Sequence, residues 1–256
     1  MQTINSQLMH EINEYISCID NEWIKRIRPS SMQAINKLIK YTEMDLHELE
    51  FPESFVEFVC AAGASDGGLM SNVLNGEFNV DKLILINQDI YENWKSDINP
   101  MEFEFLSDEV GISYLINFKD SARIWYGDEC VESSSFENFL MQCAVRQYEK
   151  EKYAHHLNIV FRDNEHILDY PKAVDKFQSK IIEKYGLIIQ KYSDDFFCYA
   201  KSSRMSMYIK KRTMSYGMRN IGNVFLNDNG ILSDILTEIN KLSCCEVKLI
   251  KKQLQF

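Results

Sequence analysis

Phe51-Pro52-Glu53-Ser54-Phe55-Val56-Glu57-Phe58-Val59-Cys60-Ala61-Ala62-Gly63 is the stretch on which the reading of the fold turns. Proline suits the first position of a helix, because its missing N–H has no intrahelical partner there. Phe55, Phe58, Val59 and Ala62 then recur at spacings of three and four, which puts them on one helical stripe. Gly63 supplies a stop, and a turn containing Gly67-Gly68 follows. A helix with so aromatic a stripe needs other elements to cover it.

The flanks supply those elements. Upstream, Ile4, Leu8, Ile12, Tyr15, Ile16, Ile19 and Trp23 predict an amphipathic helix over residues 4–23, broken at Pro29. Ser30, with Gln33 three residues on, predicts a capped second helix whose apolar face is Ile35, Leu38, Ile39 and Thr42. Downstream, Leu83–Ile86, Ile112–Phe118 and Arg123–Tyr126 read as short strands. An acidic, aromatic loop from Asp89 to Glu109 joins the first two. Ser134 and Glu137 predict another capping box. Its helix buries Phe136, Phe139, Leu140, Cys143 and Ala144 and ends in Glu149-Lys150-Glu151-Lys152, the expected domain boundary.

Beyond that boundary, Leu157–Phe161 reads as a strand and Pro171 opens a helix with Val174, Phe177, Ile181 and Tyr185 inward, closed by Gly186. Strands are predicted at 187–192, 196–200, 205–212 and 223–226, followed by a turn at Asn229-Gly230. A last helix is lined by Ile231, Leu232, Ile235, Leu236, Ile239 and Leu242, with a last strand at 246–250. Helices and strands mix irregularly, so the expected class is α+β and not a doubly wound sheet. Residues 1–150 are expected to form one domain, a mixed sheet with packed helices. Residues 151–256 are expected to form a second, smaller α+β domain.

The order of features from Ser30 to Leu140 resembles the SUKH superfamily, which holds the yeast cell-wall-synthesis regulator and many bacterial toxin-immunity proteins. Three elements carry the resemblance: the Phe51-Pro52 helix with its glycine turn, the strand pair that includes Ile124-Trp125-Tyr126, and the closing Ser135-Phe136-Glu137-Asn138-Phe139-Leu140 helix. It spans about 110 residues, under half of the chain. The chain departs from the family pattern in having the acidic loop at its middle, and the C-terminal hundred residues lie outside the family domain. The resemblance implies a compact α+β domain that acts by binding and not by catalysis. Immunity members of the family hold a partner toxin inactive in the cell that makes it.

Composition bounds the alternatives. The chain has 256 residues, 45% hydrophobic and 26% charged, too apolar for disorder. It has no run of about 18 apolar residues, so no membrane span is expected. The N-terminus lacks the pattern of a signal peptide. Seven cysteines without regular spacing suit free thiols in the reducing cytoplasm better than a disulfide scaffold. Charge is uneven. Residues 1–150 carry 11 Lys and Arg against 26 Asp and Glu, whereas residues 151–256 carry 17 against 12. An acidic face presented to a basic partner is one reading of that asymmetry, and two ordinary solvated surfaces are the other.

Catalytic signatures are weak. Gly63-Ala64-Ser65-Asp66-Gly67 matches the G-x-S-x-G elbow in letters, but that elbow needs a strand before the serine, and here a helix precedes it. His155-His156, adjacent on a strand, would point to opposite faces, so with His166 they form no expected metal site. Cys244-Cys245 lacks the Cys-x-x-Cys spacing of a redox turn. No phosphate loop, dinucleotide turn or H-E-x-x-H helix occurs, so no cofactor, metal or enzymatic activity is expected. Tyr199, Lys201, Arg204, Tyr208, Lys210, Lys211, Arg212, Tyr216 and Arg219 interleave charge with rings as nucleic-acid surfaces do, yet the basic excess is small for that role.

The partner site is expected in the acidic loop, at Asp89, Tyr91, Glu92, Trp94, Asp97, Glu102, Glu104, Asp108 and Glu109. Carboxylates there would meet a basic toxin domain, such as a nuclease whose cleft grips phosphate, and the rings would anchor it. The plainer reading of the same residues is a solvated acidic loop. The expected function is thus a cytoplasmic immunity protein. The alternatives are a regulatory interaction module without a toxin and a nucleic-acid-associated protein.

Overall fold

The computed structural model describes residues 6–71, 78–107, 111–127, 130–161, 170–210, 221–241 and 245–251. Its elements follow in chain order as α1 (Gln7–Ser17), α2 (Trp23–Arg26), β1 (Ile27–Arg28), α3 (Met32–Tyr41), α4 (Glu53–Ala62), β2 (Ser65–Asp66), α5 (Val80–Asn93), β3 (Glu102–Ser107), β4 (Ser113–Asn117), β5 (Arg123–Tyr126), β6 (Cys130–Ser133), α6 (Phe136–Tyr148), β7 (His155–Phe161), α7 (Tyr170–Tyr185), β8 (Ile188–Ile189), β9 (Phe197–Lys201), β10 (Met205–Lys210), β11 (Ile221–Leu226), α8 (Asn229–Asn240) and β12 (Cys245–Lys251). The class is α+β. The chain divides into two compact units: residues 1–128 with 133–148, and residues 129–132 with 149–256.

The first unit is organised around α4. In α4, Phe55, Phe58, Val59 and Ala62 are all fully buried. Phe55 packs against Phe51, Phe103 and Phe136 at centroid distances of 4.8, 5.6 and 5.1 Å. Phe58 meets Phe78 at 5.1 Å, and Phe105 meets Phe136 and Phe139 at 5.4 and 5.5 Å. Most of these pairs are edge-on, the arrangement ring quadrupoles favour. The core is thus an aromatic layer between α4, α6 and the inner face of β3–β5.

Glycine is required here for two different reasons. A Cβ on Gly63 would lie 2.4 Å from the Val59 carbonyl oxygen, so the close approach at the end of α4 excludes any side chain. Gly67 has φ +63°, and a Cβ there would meet the Trp23 indole nitrogen at 3.0 Å. That nitrogen donates to the Asp66 carbonyl at 3.1 Å, which fixes the turn against α2.

Strands β3, β4 and β5 pair antiparallel in sequence order, with a bulge between Glu104 and Leu106. In the second unit the strand order is β12-β7-β11-β10-β9-β8, again antiparallel at every step. The parallel pairing that a mixed sheet would contain does not occur among these pairs; in β3–β5 the strands follow one another through short connections, which favour antiparallel neighbours. Met205, Met207 and Ile209 of β10, with Val174, Phe177 and Ile181 of α7 and Ile231, Ile235 and Ile239 of α8, bury one face of this sheet.

Several local expectations shift. The predicted strand Leu83–Ile86 is part of α5, a helix of 14 residues. Asn79 caps it, its Oδ1 accepting from the Asp81 and Lys82 amides at 2.9 and 3.1 Å. A run of four apolar residues fits either period, and the cap together with packing on α3 decides for the helix. Of the predicted 89–109 loop, residues 89–93 are the end of α5, Lys95–Asp97 form a short 3-10 turn and 102–107 are strand β3. The first helix ends at Ser17 and resumes as α2 at Trp23.

Caps move by one residue. Ser31, not Ser30, precedes α3, and its side chain makes no cap bond. Pro52 is the residue just before α4. Ser135, not Ser134, accepts the Asn138 amide at the start of α6. Asn229 and Gly230 open α8 instead of turning the chain, because Asp228 Oδ1 accepts the Gly230 and Ile231 amides and starts the helix there. Leu242 and the 211–212 end of the strand predicted at 205–212 lie outside the described residues.

Candidate functional site

The nine residues expected to meet a partner divide among four places. Asp89, Tyr91 and Glu92 sit on the last half of α5 and Trp94 just past its end. Asp97 ends the 3-10 turn, and Glu102 and Glu104 are on β3. Asp108 and Glu109 lie outside the described residues.

The fold brings three of them together. A groove of about 510 Å³ runs between α5, the 3-10 turn and strands β3 and β4, and Asp97, Glu102 and Glu104 line it. Strand alternation explains their direction. Phe103 and Phe105 are buried inward, so Glu102 and Glu104 project from the opposite face. Leu115 pairs with Glu104 across β3–β4 and shares that face. Ile90, Ile98, Ile112 and Leu115 give the groove its apolar lining.

The carboxylates are not equivalent. Glu102 Oε1 lies 3.6 Å from Lys119 Nζ, and its Oε2 accepts from Asn99 Nδ2 at 2.9 Å. Asp97 accepts a neighbouring hydroxyl, Ser96 Oγ, at 3.1 Å. Glu104 accepts Ser107 Oγ at 2.8 Å. Among the described residues, Asp97 and Glu104 form no ion pair. The carbonyl end of α5 adds its partial negative charge beside them. Two uncompensated carboxylates over an apolar lining suit a Lys or Arg side chain, whose stem is apolar and whose head is cationic.

The other four residues stay out of the groove. Tyr91 is engaged within the fold, 5.7 Å from the Tyr41 ring and under Lys95 Nζ at 4.9 Å. That lysine also pairs with Glu43, and this interaction raises its pKa. Asp89 and Glu92 are exposed on α5, and Trp94 is 61% exposed beyond it. Sequence reading misses the apolar half of the groove: it gives Ile112 and Leu115 to a strand without a face, and it leaves Ile90 and Ile98 inside an acidic loop. Leu85 and Ile86, on α5 outside the groove lining, are 67% and 57% exposed.

The remaining chemical candidates find structural roles. Ser65 follows α4, and its hydroxyl donates to the Arg26 carbonyl at 3.2 Å. His155 and His156 are successive on β7, and His156 Nε2 donates to Asn223 Oδ1 at 2.6 Å. Burial lowers the His156 pKa below its ordinary value. His166 and Cys244 lie outside the described residues, among which no cluster of metal-ligating side chains occurs. Tyr199 and Tyr208 are 3% and 8% exposed, so neither ring is open to stack on a base, and Lys210 is held by the Glu132 carboxylate at 2.5 Å. No helix among the described residues is long and apolar enough to cross a membrane.

Comparison of the chain with protein-family models, with curated proteins and with solved structures found no match in any of the three.

Proposed function

We propose that this chain is a SUKH-like immunity protein of the cytoplasm, which neutralises a basic toxin domain by direct, non-catalytic binding. The groove carries the reading: Asp97 and Glu104, without ion pairs among the described residues, stand over an apolar lining in the more acidic half of the chain. A nuclease cleft that holds phosphate presents Lys and Arg, and carboxylates carried on a 3-10 turn and a paired strand meet such a cleft with charge complementary to it. The steep long-range field of residues 1–150 would speed the encounter.

The test is co-purification with the C-terminal domain of the protein encoded by the adjacent gene. A one-to-one complex is expected, together with survival of cells that express that domain. The doubly reversed variant Asp97→Lys, Glu104→Lys should slow association and abolish rescue while the fold persists, because both side chains are exposed. A complex that tolerates both reversals unchanged would move the contact elsewhere. No complex and no rescue would remove the toxin from the proposal for that pair.

A further inference from the structure

Helix α5 has two apolar faces. One is buried: Val80 and Ile84 point inward, and the helix packs on α3. The other is open. Leu85 and Ile86 are 67% and 57% exposed at the middle of the helix, where an ordinary solvated face carries polar residues. One turn before and one to two turns after Leu85, on the same stripe, stand Asp81, Asp89 and Glu92, all exposed. Asp89 accepts from Asn93 Nδ2 at 2.8 Å and Glu92 from Gln88 Nε2 at 2.7 Å, while the backbone amide of Asp81 donates to Asn79 Oδ1 at 2.9 Å. None of the three carboxylates forms an ion pair among the described residues. Lys82 is the one cation on that stretch of helix.

We propose that the open face of α5 is a docking surface for a basic amphipathic helix of a partner protein. Resting on the reading that the partner is basic, the proposal adds a second contact outside the groove and names the element that makes it. Leu85 and Ile86 would fill the apolar seam of that helix, and Asp81, Asp89 and Glu92 would meet Lys or Arg at its margins. The face belongs to a helix of 14 residues, and a partner helix can pack on it at the usual axis separation of about 8–10 Å. A second copy of this chain is the wrong occupant, because it would bring the same carboxylates against their equivalents.

The probe is a 14-residue amphipathic Leu/Lys peptide, with a Leu/Glu peptide of the same apolar pattern as its control. Calorimetric titration is expected to show saturable binding of the Leu/Lys peptide alone. The pair Leu85→Ser, Ile86→Ser should weaken it by about tenfold or more, as loss of central apolar anchors does. Asp89→Lys, Glu92→Lys should weaken it comparably, and added salt should erode what remains. These side chains are exposed, so circular dichroism should stay unchanged. The groove variant Asp97→Asn, Glu104→Gln should leave this affinity within about twofold. Equal binding of the two peptides, no binding, or binding indifferent to Leu85 and Ile86 would each overturn the docking surface. A toxin complex that fails on groove reversal yet tolerates the α5 variants would do the same while leaving the groove reading intact.

Discussion

Ile84 and Ile86 decide between two geometries with one pair of substitutions. In a strand they share a face, because side chains alternate with a period of two. In α5 they do not: Ile84 is 7% exposed and Ile86 57%. Truncating a buried Ile to Ala costs about 2–5 kcal/mol, and Ile84, covered chiefly by one helix layer, should fall near 3 kcal/mol. Ile86 is less than half covered. Full burial of such a side chain is worth about 1.5–3 kcal/mol, so its truncation loses about 1 kcal/mol, and the better helix propensity of Ala returns about 0.4 of that. The expected contrast is therefore roughly 3 against roughly 0.5 kcal/mol. Urea unfolding followed by tryptophan fluorescence is the natural assay, because Trp23, Trp94 and Trp125 all belong to the first unit. With a denaturant slope of about 2 kcal/mol per molar, Ile84→Ala should lower the midpoint by about 1.5 M and Ile86→Ala by about 0.3 M. Equal shifts for the two variants would refute the helix and restore the strand, and would take the α5 docking surface with it.

Removing the cap of the same helix by Asn79→Ala should cost about 1–2 kcal/mol by the same assay, since Asn79 serves two amides of α5 and donates to the Ala64 carbonyl at 2.9 Å. His156 makes stability depend on pH. Burial depresses its folded pKa below the unfolded value, so the unfolded chain binds more protons and stability falls as pH drops through about 6.5 and below. His156→Gln should flatten that slope between pH 7 and pH 5 in thermal melts, and an unchanged slope would assign it to another group. Lys210→Met leaves Glu132, itself 2% exposed, as a buried charge without its lysine, and should cost about 3–5 kcal/mol. Glu132→Gln combined with Lys210→Met should recover part of that loss, and strict additivity in the double-mutant cycle would contradict coupling.

The parts of the fold legible in the sequence are those where a single period dominates. Phe55, Phe58, Val59 and Ala62 announce α4, and Phe136, Phe139, Leu140, Cys143 and Ala144 announce α6, because a helix that buries an aromatic stripe writes that stripe at spacings of three and four. The α+β class follows from their alternation with short β-branched runs, and the acidity of the first 150 residues is a plain count. What residues 83–109 form was not legible. A four-residue apolar run satisfies both periods, and its assignment rests on the Asn79 cap and on the layer that α3 provides. The groove depends on longer-range facts still. Asp97, Glu102 and Glu104 converge only because α5 ends where β3 begins to pair with β4, and the outward face of that pair is set by the burial of Phe103 and Phe105 on the other. Local chemistry is written in adjacent letters and can be read from them. The exposure of Leu85 and Ile86, and the meeting of two carboxylates over an apolar lining, are properties of which surfaces the packed chain leaves uncovered, and only the tertiary structure decides those.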